Sequence, residues 1–170
     1  LRAHRGHITL DTSEAAPSQA EPAGDGDQYE ARRQLLVNLG AWPLLSDAHT
    51  GEVPDPAQPA DAAIVATTRL EPFAGPRGNV QLAQSLDEFL HGLDLLASLV
   101  EGTVYVVTPR VGGTLAQQLR SALSGKPRIK PFSIPLRYPM DLFNLLARAL
   151  GLGQQRGRTV WGLRTEGVLA

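Results

Sequence analysis

The feature that most constrains the fold is an alternation of short apolar runs with longer segments of helical periodicity. Thr103–Thr108 is almost wholly β-branched or aromatic, and this composition predicts a strand. Ala62–Thr67 is a short apolar run of the kind found in strands that are buried on both faces. Ser85 begins a predicted helix in which Glu88 completes a capping box, and its apolar residues recur at helical spacing as far as Gly102.

The same alternation continues along the chain. Arg128–Ile134 and Arg158–Leu163 are predicted strands, and Pro131 favours an edge position for the first because proline donates no ladder hydrogen bond. Strands that alternate with helices predict a three-layer, Rossmann-like α/β domain with a mostly parallel sheet. The other predicted segments are a helix at Glu30–Leu39 closed by Gly40, a Pro-rich connection without an element at Pro43–Pro59, a helix at Thr114–Leu123 stopped by Gly125, and a helix from Pro139 to Leu150 followed by Gly151.

The first 28 residues differ from the rest in composition. Ile8–Leu10 is a short apolar run that we interpret as the tail of a preceding domain. Residues 11–28 are acidic, rich in Ala, Pro and Gly and without apolar periodicity, which is typical of a flexible linker. The sequence therefore predicts a tail and linker at residues 1–28 and one α/β domain at residues 29–170.

Composition excludes several classes of function. The chain has no cysteine, so disulfides, iron–sulfur clusters, thiolate zinc sites and a cysteine nucleophile are excluded. No apolar run approaches the roughly 20 residues that a membrane-spanning helix needs. Two Trp, three Tyr and four Phe are too few for a base-stacking platform, so no nucleic-acid partner is expected.

Charge is distributed unevenly along the chain. Residues 102–170 contain 10 basic and 2 acidic side chains, whereas residues 1–101 contain 6 basic and 15 acidic ones. A basic segment of this kind favours an anionic partner. The alternative is that the two oppositely charged halves fold together and largely neutralise each other.

Two strand-to-helix turns provide candidate ligand-binding residues. In doubly wound folds, ligands bind beyond the carboxyl ends of the strands, where backbone N–H groups and a helix dipole favour a phosphate. Tight turns also occur in any α/β fold, and the dinucleotide and nucleophile-elbow glycine motifs are absent. The candidates at these turns are Thr67, Thr68, Arg69, Thr108 and Arg110, the last beside Gly112 and Gly113.

One histidine also has polar neighbours in sequence. His49 lies in the Pro-rich connection near Asp47 and Glu52, and such a group can bind a metal or move a proton. Groups of this kind are common in surface loops, so a purely solvated role is the alternative.

The order and spacing of several motifs resemble the A subunit of the sodium-translocating NADH:quinone reductase over about 130 residues from Tyr29 onward. No single motif is specific, and their co-linear arrangement carries the resemblance. These motifs are Leu35–Trp42 with its Gly-x-Trp turn, Pro54, Ala62–Thr67 followed by Glu71-Pro72, Phe89, Gly92-Leu93, Leu96, Leu99, Glu101, Val104, Val106, Tyr138-Pro139 and Thr159-Val160-Trp161.

The resemblance implies a role in respiratory electron transport. It implies a central Rossmann-like domain of a subunit without a covalently bound cofactor, peripheral at the cytoplasmic face of the bacterial inner membrane. The implied partners are the other subunits of the membrane-bound complex, and the implied ligand is a quinone. A family basic-aromatic stretch after the tryptophan is replaced here by Ala48–Glu52, and a Gly-rich Thr-His stretch after Tyr138-Pro139 is replaced by Asp141–Leu146. Trp42, His49 and Tyr138 border or belong to these stretches and are therefore added as ligand-binding candidates.

Three functional hypotheses follow. In the first, the chain is a non-catalytic docking or quinone-associated module of such a reductase, because no residue here would itself carry out redox chemistry. Alternatively, it is an independent α/β domain that binds a nucleotide or another small molecule beside Arg110. The third hypothesis is a diverged interaction module without a redox function.

Overall fold

A five-stranded sheet forms the centre of the protein. The computed structural model describes residues 25–72, 82–110, 113–153 and 158–169, with side chains from Gln28 onward. The spatial order is β1 (Ser46–Asp47), β5 (Val160–Arg164), β2 (Ala60–Ala66), β3 (Val100–Pro109) and β4 (Ile129–Ile134). β1 pairs antiparallel with β5, and the other neighbours pair in parallel. The prediction of an α/β domain with a mostly parallel sheet is confirmed.

Helices cover both faces of this sheet. They are α1 (Asp25–Asn38), a 3-10 turn (Trp42–Leu44), α2 (Leu86–Leu99), α3 (Thr114–Leu123), α4 (Phe143–Ala149) and α5 (Thr165–Val168), with a further helical turn at residues 82–84. α1 begins four residues before Tyr29, where the sequence predicted the domain to start. The predicted tail at Ile8–Leu10 and most of the predicted linker lie outside the described residues.

The first face of the sheet carries the larger core. It packs against α2 and α3, and α1 and α5 pack on α2. Phe89, Leu93 and Leu96 form the buried stripe of α2, at the spacing that places them on one side of a helix. Trp161 of β5 meets Trp42 edge to face, with ring centroids 5.3 Å apart and an interplanar angle of 84°. This geometry is the favoured one for buried aromatic pairs.

The second face has a smaller core beneath α4. Leu146 and Ala147 are fully buried there, and they pack in one cluster with Ile64 and Val160 of the sheet. The Phe143 ring lies directly on Gly162, since a Cβ built at that glycine would be 2.6 Å from Phe143 Cγ. Glycine at this position therefore permits α4 to approach the sheet.

Three local expectations are corrected by the structure. Ser85 makes no side-chain capping bond to the described backbone, because it joins the turn at residues 82–84 to α2 with φ −130° and ψ 47°. α4 begins at Phe143 and not at Pro139, because the preceding residues form turns that direct Asp141 towards Leu70. The Pro-rich connection contains the 3-10 turn and β1, which is too short to produce a periodic signal.

The prediction of an edge position for β4 is confirmed. Val104 N donates to Arg128 O and Arg110 N donates to Ile134 O, so the even-numbered residues of β4 bond to β3. Pro131 is odd-numbered, and its backbone nitrogen therefore points away from the ladder. The missing N–H of this proline costs no hydrogen bond within the sheet.

Candidate functional site

The strand order reverses between β2 and β5: β3 and β4 follow on one side of β2, whereas β5 lies on its other side. The crossover from β2 to β3 passes through α2 on the first face, and the crossover from β4 to β5 passes through α4 on the second face. The helices therefore diverge beyond the carboxyl ends of β2 and β5, which is the position where open α/β sheets bind ligands. The segments Thr67–Leu70 and Arg164–Thr165 lie at this edge.

Arg164 is the centre of a polar network at this edge. Its Nη1 donates to the backbone oxygen of Thr68 at 3.2 Å and to Asp141 Oδ2 at 3.3 Å. Its Nη2 lies 3.3 Å from Glu71 Oε1, and the guanidinium carbon lies 5.1 Å from the centroid of the Phe143 ring. Two carboxylates and one carbonyl of the protein thus already satisfy this arginine.

Asp141 connects three segments of the chain. It is completely buried, and its Oδ2 accepts both the Leu70 N–H at 2.9 Å and the Arg164 guanidinium. The loop after β4 is thereby joined to the loop after β2 and to the end of β5. A buried carboxylate requires this kind of compensation, because desolvation of an unpaired charge costs several kcal/mol.

Three buried polar atoms at this edge have no hydrogen-bond partner in the described part of the chain. They are Thr68 Oγ1, Asp141 Oδ1 and Thr165 Oγ1. Buried polar atoms in folded proteins are usually satisfied by protein groups or ordered water. One carboxylate oxygen and two hydroxyls are able to bond a water molecule or a hydroxyl-bearing group.

A separate cavity lies between β2, β3 and the amino end of α3. Its volume is about 210 Å³, and aliphatic side chains from α3 and from the turn at residues 82–84 form much of its wall. Thr67 and Thr108 also line it, but Thr67 Oγ1 donates to Val107 O at 2.8 Å and Thr108 Oγ1 is 3.4 Å from Ser133 Oγ. Gly113 lies at the amino end of α3, whereas Gly112 lies outside the described residues.

The two arginines predicted at this edge are exposed. Arg69 Nε is 3.7 Å from Glu166 Oε1, an ion pair that is accessible to solvent. Arg110 donates its backbone N–H to Ile134 O at 2.7 Å, and its side chain makes no ion pair with a described residue. Tyr138 is 50% exposed and lies three residues before Asp141 in the loop after β4.

The other two candidates lie elsewhere. Trp42 is buried in the first-face core, where its Nε1 donates to Pro54 O at 2.8 Å. His49 lies near the amino end of β5, because β1 runs antiparallel and Ala48 N donates to Val160 O. Its Nε2 is buried without a partner among the described residues. The eight predicted site residues are therefore not gathered into one pocket.

Sequence reasoning missed the residues that form the network. The network residues Asp141, Glu71 and Arg164, and Thr165 beside them, were not predicted as site residues, although one sequence feature pointed to Asp141. Asp141 and Glu166 are the two acidic residues of the basic segment 102–170, and each lies beside an arginine at the carboxyl edge. An acidic residue within a strongly basic segment was thus the sequence feature that could have indicated this network.

Two further observations bear on function. Within the described ranges, no group of three or more His, Asp or Glu side chains has the arrangement of a metal site. None of the helices found there is long and apolar enough to cross a membrane.

Comparison with known proteins gives two matches. The family model described as the NqrA second alpha/beta domain matches residues 28–124. The chain is also 28% identical over 147 residues to the A subunit of the Na(+)-translocating NADH-quinone reductase of Alcanivorax borkumensis. That alignment covers 83% of this chain and 32% of the relative, so the chain spans about a third of the relative's length.

Proposed function

The chain belongs to the family of the NqrA second alpha/beta domain, and we propose that it acts as a docking domain of an NqrA-like component of a sodium-translocating NADH-quinone reductase. The observation that carries this proposal is the family match over residues 28–124 together with the relative's name. The chain's partners are then the other subunits of the membrane-bound complex.

The geometry supports docking more than quinone binding. A quinone site needs an accessible aromatic or apolar wall with hydrogen-bond donors directed at the carbonyl oxygens. Trp42 is buried and its N–H is already bonded, and Arg164 is satisfied by two carboxylates. Tyr138 and His49 lie at opposite edges of the sheet.

In this role the chain carries out no redox step with its own side chains, because it contains no cysteine and no dinucleotide-binding glycine motif. The domain lies at the cytoplasmic face of the bacterial inner membrane and is held there through its partner subunits, as the resemblance implies. A quinone or covalent cofactor would then belong to another part of the complex.

The test is affinity purification of the tagged full-length protein from its own detergent-solubilised membranes. Mass spectrometry and NADH-driven quinone reduction are measured on the eluate. Recovery of flavin- and iron–sulfur-bearing subunits with reductase activity is the expected result. Recovery of the protein alone, or with unrelated partners, would contradict the proposal.

The cavity beside α3 favours one second candidate function, the binding of a nucleotide. Arg110 is exposed next to that cavity's edge, and the amino end of a ten-residue helix attracts phosphate. Calorimetry with NADH, FMN and ATP tests it, using Arg110→Ala and, as a matched control on the other face, Arg148→Ala. Tight binding that only Arg110→Ala abolishes would favour this function over docking.

A further inference from the structure

The described residues cover the second face of the sheet incompletely near β4. Among the described helices, α4 packs on this face, and it contacts chiefly β2. Tyr105 and Phe132 belong to this face, yet both stay partly exposed. Lys130 pairs in register with Tyr105 and is exposed on the same face, since the even residues of β4 point there. Two partly exposed aromatic side chains beside a cation are thus accessible to a partner.

This face also carries cations that form no ion pair with a residue in the described part of the chain. Lys126 pairs with Asp94 at 2.6 Å, and Arg164 pairs with Glu71, so the two halves of the chain neutralise each other at these points. Arg120 and Arg128 donate to backbone carbonyls instead. The other exposed basic residues without an ion pair to any described residue are Arg110, Lys130, Arg137 and Arg148.

The acidic residues of the same segment do not offset these cations. Asp141 is buried against Arg164, and Glu166 faces Arg69 at the carboxyl edge. Arg148 lies on the solvent side of α4, and Arg137 lies in the exposed loop after β4. Near β3 and β4 the second face therefore combines two aromatic side chains with basic residues.

We propose that this second-face surface, formed by Tyr105, Lys130, Phe132, Arg137 and Arg148, docks onto an acidic surface of a protein subunit. The inference rests on the proposed function, and the partner therefore belongs to the reductase complex. Complementary charge steers such an encounter and fixes its orientation, while buried aromatic contacts supply most of the affinity.

The arrangement fits a protein partner better than a lipid surface. Tyr, Phe and Arg are enriched in protein interfaces, and the rims of these interfaces are polar and accessible to solvent. Firm binding at a lipid surface usually combines the attraction of basic residues with apolar side chains that insert several ångströms below the headgroups. Tyr105 and Phe132 pack against the second-face core and are only partly exposed, and both tryptophans are in the core.

Charge reversal provides the test. The double variant Lys130→Glu/Arg148→Glu changes the second face, and the control Arg32→Glu/Arg33→Glu makes the same change of charge on α1, on the other side of the sheet. Each is introduced into the full-length protein, and its affinity for detergent-solubilised reductase depleted of this component is measured at low and high salt. We expect the second-face variant to bind about tenfold more weakly with a smaller salt dependence, and the control to bind within about twofold of wild type.

The outcomes separate the two proposals. If wild type binds the depleted reductase and both double variants bind it as well as wild type does, the proposed docking surface is wrong and the proposed function stands. If wild type does not bind at all, the proposed function fails and this surface fails with it. If the double variant binds the reductase normally but loses binding to vesicles containing anionic phospholipid, the partner is a lipid surface. Thermal unfolding by circular dichroism checks that each variant is folded.

Discussion

The two faces of the sheet differ in how they are covered. The first face is closed by three helices of ten or more residues, an aromatic pair and a continuous aliphatic core. Among the described helices, one of seven residues packs on the second face, which has an ionic network at its carboxyl edge and, at its rim, cations without an ion pair to a described residue. We infer that packing on the first face maintains the fold, whereas the second face keeps polar and aromatic groups accessible for an interaction.

The largest expected difference between the faces lies in their phenylalanines. Phe89 is completely buried in the first-face core, so Phe89→Ala is expected to lower the free energy of unfolding by about 3–5 kcal/mol. Phe132 is partly exposed, so Phe132→Ala is expected to cost less than half as much. Urea unfolding of both variants measures this. Equal losses would mean that the second face supports the fold as strongly as the first.

The ionic network gives the next largest effect. Asp141→Ala leaves Arg164 without its buried partner and Leu70 N–H without its acceptor, which is expected to cost about 3 kcal/mol. The matched control is Glu166→Ala at the solvent-accessible pair with Arg69, where a loss of about 1 kcal/mol or less is expected. Chemical denaturation compares the two. Similar small losses would show that the second-face loop is not held by Asp141.

Close packing on the first face gives a smaller effect. A Cβ at Gly92 would lie 2.4 Å from the backbone oxygen of Val168, so Gly92→Ala must push α2 away from α5. We expect a net loss of about 1–3 kcal/mol, because the strain outweighs the higher helix propensity of alanine. Gly153→Ala is the control, since no atom in the described part of the chain lies within 4 Å of its Cβ position. A neutral Gly92→Ala would show that the α2–α5 contact is loose.

The smallest expected effect concerns the exposed pair on α1. The hydrogen bond donated by Arg33 lowers the pKa of Glu30 below its ordinary value of 4.5. A lowered folded-state pKa stabilises the protein above the unfolded-state pKa, and this stabilisation is lost as the pH falls through the folded-state pKa. The thermal midpoint of Glu30→Gln should therefore be slightly lower than that of wild type at pH 7 and equal to it at pH 3. A larger difference at pH 3 than at pH 7 would reverse this assignment.

Local sequence patterns predicted the central elements well. α3 has the predicted bounds, and Gly40, Gly125 and Gly151 follow their helices with positive φ values, as their positions indicated. The periodic signal could not reveal β1, because its two residues depend on pairing with β5 far along the chain. The start of α4 was also missed, since Asp141 is held outside the helix by contacts with distant segments.

The site was harder to predict for the same reason. Thr68 and Arg69 were found because the carboxyl ends of strands are visible in the sequence. Arg164 meets Asp141 across 23 positions and Glu71 across 93, so these contacts exist only after the strand order is known. The sequence alone left that order open.

The motifs that carry the family resemblance are mainly structural. Trp42 donates to Pro54 O, packs against Trp161 and completes the first-face core, and Gly92 allows α5 to pack on α2. The residues that carry the resemblance are thus mainly those that build the packing of the first face. The stretch from Asp141 onward, where the chain departs from the family pattern, belongs to the second face and its network.

Hydrogen–deuterium exchange of the full-length protein, free and bound to the depleted reductase, tests the division between the faces most directly. We predict that binding slows exchange in β4, in the loop through Arg137 and in α4. Unchanged exchange in these segments, with protection instead at the end of α1 and the 3-10 turn, where Leu35, Leu39 and Leu44 are exposed, would contradict the account.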